Sequence, residues 1–92
     1  MALQEEERAF VKSLLDYYIA ESGSYVQMAG EYAEGGAVRD VAFGIIVGCV
    51  YSGFMESRRG EGGGPGLDDM GELRSMIGGR AGQIWEAVGG AG

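Results

Sequence analysis

The sequence predicts an all-α domain, an antiparallel helical hairpin or bundle completed by a C-terminal helix or helix pair after a glycine-rich connector. Three observations lead there. Apolar side chains recur at threes and fours along most of the chain, the spacing that gathers them on one side of a helix. The 19 glycines are clustered between those stretches, where they act as stops and turns. One stretch, Val41 to Met55, carries no charge at all and reads as a helix enclosed by the others.

With 92 residues, residues 1–92 are expected to form a single domain. A chain this short buries only somewhat more than about 60% of its unfolded surface, so its stability as a monomer is modest. Small domains often compensate with a metal, disulfides or oligomerisation. Cys49 is the one cysteine and histidine is absent, so an intrachain disulfide is impossible and a transition-metal site is poorly supplied. Oligomerisation is the route left open.

The first element is expected over 3–34. Leu3, Phe10, Leu14, Tyr18, Tyr25, Met28 and Tyr32 form an apolar stripe, widened by Val11, Leu15 and Ala29. Glu5, Glu6 and Glu7 stand in the first turns, where they complement the positive end of the helix dipole. Polar residues at Glu21-Ser22-Gly23-Ser24 interrupt the stripe. Its phase continues across seven residues from Tyr18 to Tyr25, which favours one helix over two.

The second helix is expected over 37–59, entered through the Gly35-Gly36 turn. As helix, Val41 to Met55 is about 22 Å long, short of the roughly 20 residues that a bilayer core requires, and Asp40 and Glu56 bound the run closely. A central helix buried nearly all round is the favoured reading. Gly44, Gly48 and Ser52 fall four apart, a line of small side chains that lets a neighbouring backbone approach. The spacing does not say whether that neighbour belongs to the same chain.

Residues 60–67, glycine-rich around Pro65, form a flexible connector. Asp69 with Glu72 resembles a capping box, with Leu67 as a possible staple. A helical segment over 68–88 follows, with Leu73, Ile77, Ala81, Ile84 and Val88 as its stripe and Trp85 beside it. Gly78-Gly79 leaves open whether this is one helix or two. Residues 89–92 are expected to be a disordered tail.

Composition narrows the function. Fourteen acidic side chains against seven basic ones give a net charge of −7, which disfavours nucleic-acid partners and anionic membranes. The glycines at 62–66 lack the Lys-Ser/Thr and the preceding strand of a phosphate-binding loop. Cys49 lies among apolar residues, where a thiol keeps its proton. Asp16, Glu31 and Glu34 could supply a carboxylate metal site, but the histidine that normally accompanies such glutamates is missing, so a solvated face is the better reading. No catalytic residue and no cofactor is expected. The tyrosines Tyr17, Tyr18, Tyr25 and Tyr32, with Tyr51, could present a partner face, since aromatics with a polar tip are enriched at interfaces. The acidic N-terminal stretch and single cysteine point to a cytoplasmic home.

Tyr25, Tyr32, Glu34 and Gly35, then Ala42-Phe43, then Phe54-Met55-Glu56 and Arg58, follow a recognisable order. Over residues 22–59 the chain thereby resembles an archaeal family of small helical-bundle proteins classed as a domain of unknown function. The turn Gly35-Gly36-Ala37-Val38 is about one residue longer than in that family, and residues 60–92 have no counterpart. The resemblance implies a helical hairpin and transfers no activity.

The expected function is a non-catalytic helical interaction or oligomerisation module, most simply a homodimer, alone or with another protein. It would pack through helix 41–55, with the tyrosine face as a second surface. The alternatives are a membrane-associated small subunit inserting residues 41–55, and a metal-binding protein using Asp16, Glu31 and Glu34.

Overall fold

The structure, a computed structural model, describes residues 3–59 and 64–90. Residues 60–63 of the expected connector and 91–92 of the expected tail lie outside the described residues. Within them are four helices, α1 (Glu5–Ala20), α2 (Ser22–Tyr32), α3 (Val38–Ser57) and α4 (Leu67–Gly90), and no strand. The fold is all-α, a helical bundle, as the periodicity predicts.

The rod expected over 3–34 is broken. At Glu21 the backbone turns to φ −97° and ψ 18°, and one residue outside helical geometry separates α1 from α2. The break falls at the head of the polar interruption, where no apolar side chain ties consecutive turns to the core. Ser24 N–H donates to the Glu21 carbonyl, so the chain re-enters helix at once. Past the break α2 packs chiefly on α3, whereas α1 packs on both α3 and α4.

The turn into α3 uses two successive left-handed residues, Glu34 (φ 42°) and Gly35 (φ 91°). Only glycine takes the second without steric cost. Arg58, just past the end of α3, reaches Glu7 on α1, and Arg39, near its start, reaches Trp85 on α4; α3 therefore runs antiparallel to both. Arg8 pairs with Glu72, and Arg80 with Asp16 two turns further on. These matched offsets show that α1 and α4 run parallel.

Residues 67–90 form one helix, so the glycine pair 78–79 does not split it. Leu73 and Ile77 before the pair and Ile84 and Val88 after it are all buried on one stripe, and that shared attachment holds the two halves in line. The helix also runs through Gly89 and Gly90, where a tail was expected. Its start differs as well. The Asp69 carboxylate accepts from Gly66 N–H at 3.1 Å, which makes Gly66 the cap and places Asp69 inside the first turn. Leu67 is 92% exposed and staples nothing.

The core is built from Leu3, Val11 and Leu15, Ala29, the α3 line Ala42-Ile46-Val50-Phe54, and Leu73, Ile77, Ile84 and Val88. Each large side chain here contributes about 1.5–3 kcal/mol by leaving water. Along α1 and α2 the stripe is centred on Val11, Leu15 and Ala29, which the sequence placed at its margin. Phe10, Met28 and Tyr32 lie outside it, 39%, 40% and 68% exposed.

Candidate functional site

The bundle buries one side of α3 and leaves the other open. Ala42, Ile46, Val50 and Phe54 follow at four-residue steps and are fully buried. At 3.6 residues per turn, Gly44, Gly48 and Ser52 project from the opposite side, and all three are exposed. A Cβ added at Gly44 or Gly48 would meet nothing within 4 Å. Among the described residues the two glycines of the small-residue line thus have no close neighbour on their open side.

The expectation of a helix buried nearly all round is corrected accordingly, since only 22% of the most apolar stretch of α3 is buried. Around the outward line stand Val41 and Ile45 on one flank and Tyr51 and Met55 on the other, part-buried except for Met55, which is 47% exposed. No charged side chain interrupts this face from Val41 to Met55. The flanking residues leave a shallow apolar track two helical turns long, floored by backbone at the glycines.

The close helix crossing inside the chain occurs at a glycine that the spacing did not single out. At Gly53 an added Cβ would stand 2.9 Å from Leu14 Cδ1 and 3.3 Å from Cδ2. The signal lay in its position, three residues after Val50 and next to Phe54 on the buried stripe. Small residues on the two sides of α3 therefore do different work, with Gly53 admitting α1 and Gly44, Gly48 and Ser52 facing out.

The four tyrosines do not make one face. Tyr18 and Tyr25 turn onto the core, their rings edge to face at 5.6 Å across the break at Glu21. Burial pushes both phenols above their ordinary value, with the neighbouring Cys49 adding to the effect. Tyr17 packs its ring edge to face on Tyr18 at 5.2 Å but is 56% exposed, and Tyr32 is exposed two turns beyond Tyr25. The Tyr18–Tyr25 ring contact was not anticipated, and the partner surface that the four tyrosines suggested is divided.

Asp16, Glu31 and Glu34 are not brought together. Asp16 binds Arg80 at 2.7 Å, Glu31 lies on α2 and Glu34 lies in the turn. Among the described residues no group of three acidic or thiol side chains could hold a metal ion.

Charge is instead spent on closing the two ends of the bundle. At one end the Arg58 guanidinium, just past the end of α3, joins three elements. It donates to both Glu7 oxygens and, at 3.1 Å, to Asp69, while its carbon stands 5.2 Å over the Phe54 ring. The Arg58 bond holds Glu7 below its ordinary value, helped by Gln4 N–H. Asp69 is lowered chiefly by Gly66 N–H and then by Arg58. Beside this clasp Glu72 binds Arg8 and accepts from Leu3 N–H at 2.9 Å. At the other end Arg39 lies 3.9 Å over the Trp85 ring and donates twice to the Trp85 carbonyl. Phe43 meets the same ring edge to face at 6.0 Å.

With the ends closed by charge and the interior filled by apolar side chains, the outward side of α3 remains as an uncharged surface. Compared with protein-family models, with curated proteins and with solved structures, the chain matches none.

Proposed function

We propose that the chain is a non-catalytic association module that pairs with a second copy of itself through the outward side of α3. The observation that carries this reading is the uncharged track Val41, Gly44, Ile45, Gly48, Ser52 and Met55 on a molecule of net charge −7. Contiguous exposed apolar surface is uncommon on monomers and marks contact sites. Glycine at the centre of such a track lets two helices approach until their backbones touch. Gly48 lies midway along it, so a two-fold axis there would superpose the track on itself, as a closed dimer requires.

Light scattering on the purified protein tests the reading. A dimer is expected at tens of micromolar. Gly48→Leu should return it to monomer with an unchanged circular dichroism spectrum, because Gly48 is exposed and a Cβ added there meets nothing within 4 Å among the described residues. A wild-type chain that stays monomeric at high micromolar concentration overturns the proposal.

One observation supports a second reading. The 20-residue α3 is long and apolar enough to cross a membrane by length and composition, which fits a membrane-associated subunit. Its charge-free part, 41–55, is shorter than a bilayer core requires, so the dimer is preferred. Recovery of the native protein in the soluble fraction without detergent removes the second reading.

A further inference from the structure

The parallel helices α1 and α4 do not close on each other along their whole length. Between the bridge Arg8–Glu72 and the bridge Asp16–Arg80, α4 presents Ser75 and Gly79 toward α1. These side chains are too small to fill the gap, and a groove of about 570 Å³ remains, within the roughly 300–1,000 Å³ of small-molecule sites. Ala9, Leu15 and Met76 line it with hydrocarbon.

Its rim carries positive charge. Arg8, Lys12 and Arg80 border the groove with Glu5 as the one acid, so three of the seven basic residues of an acidic chain meet here. They are not equivalent. Arg8 and Arg80 are engaged by Glu72 and Asp16, whereas Lys12, one turn beyond Arg8, has no ion-pair partner among the described residues. One uncommitted cation above an apolar slot calls for a ligand with one negative charge and a slender apolar body. A phosphate group needs several donors at once, and the arginines beside Lys12 are already occupied.

We propose that this groove binds a medium-chain carboxylate, the anion of a fatty acid, with its chain along Ala9, Leu15 and Met76 and its head at Lys12. The site lies between α1 and α4, and the pairing of α3 with a second copy plays no part in it.

Calorimetric titration of the intact protein with decanoate tests the assignment, and saturable binding of one decanoate per chain is expected. Gly79→Leu should abolish it without unfolding the protein, since a Cβ at Gly79 meets nothing within 4 Å. Lys12→Gln should weaken binding about fivefold, the size of one exposed ion pair, and Lys12→Arg should restore it. Absence of saturable binding overturns the proposal, as does Gly79→Leu with undiminished affinity. Equal affinity for decanol refutes the role of Lys12, and an acidic peptide that binds where decanoate does not refutes the ligand class.

Discussion

Glycines on the solvent side of α4 offer the most direct test of the fold. Gly78 and Gly82 lie inside a continuous helix, both are exposed, and a Cβ at either meets nothing within 4 Å. A helix-interior glycine costs about 0.8–1.0 kcal/mol relative to alanine. Gly78→Ala with Gly82→Ala should therefore raise the unfolding free energy by about 1.5–2 kcal/mol, the two effects adding because neither methyl touches a shared partner. For a domain of this size that is a rise of about 6–15 °C in Tm. Gly53→Ala is the matched control. It gains the same helical propensity, but its methyl would stand 2.9 Å from Leu14 Cδ1, and forcing extra volume into a packed site costs about 1–3 kcal/mol. No net gain, or a loss, is expected there. Urea unfolding followed by far-ultraviolet circular dichroism at low micromolar concentration reads all three, with an unchanged slope showing that the midpoint shift reports stability. A double variant no more stable than wild type would refute a continuous α4 at 78–82. A Gly53→Ala gain equal to that of one α4 glycine would refute the Leu14 crossing.

Two further outcomes follow. Folded-state carboxyls at Glu7 and Asp69 titrate below their ordinary values of 4.5 and 3.8, so their contribution is complete above those values and is lost as pH falls through the lowered ones. Arg58→Met should lessen the fall in Tm below pH 4.5 without abolishing it, because the N–H bonds from Gln4 and Gly66 remain; acid curves parallel to wild type would contradict the clasp. Gly35→Ala should cost about 1–2 kcal/mol through its left-handed backbone, seen as a lower urea midpoint, and an unchanged midpoint would mean that the turn differs.

Periodicity made the helices legible because burial of one side is what α-helical spacing encodes. The stripe Leu73, Ile77, Ile84 and Val88 was readable for that reason. What it could not encode is which side of a uniformly apolar helix meets the chain's own core. Along Val41 to Met55 every direction is uncharged, so Ile46 and Gly48 look equally internal until α1, α2 and α4 are placed. The break at Glu21 was obscured for a related reason, since a single residue at φ −97° leaves the seven-residue phase of Tyr18 and Tyr25 intact. Capping went astray because Gly66 serves through its backbone alone, and Asp69 then occupies the position expected of Glu72. The partners of Arg8, Arg58 and Arg80 are separated by 64, 51 and 64 residues, and no local pattern announces a contact over such intervals. Gly79 was read as a possible helix break, whereas its effect is on the space between two helices.

The indole at position 85 gives this molecule an optical reporter of its own. It is the single tryptophan in the chain, roofed by a guanidinium and edged by Phe43 at the junction where α3 begins and α4 nears its end. An ideal Cβ at Gly89 would intrude to 2.5 Å from the Arg39 guanidinium, so that residue must stay small for the roof to sit where it does. Fraying of the last turns of α4 would strip away the cation and wet the ring, altering intrinsic emission while the clasp around Arg58 stayed shut. Fluorescence and helical signal can therefore separate loosening of one end from collapse of the whole.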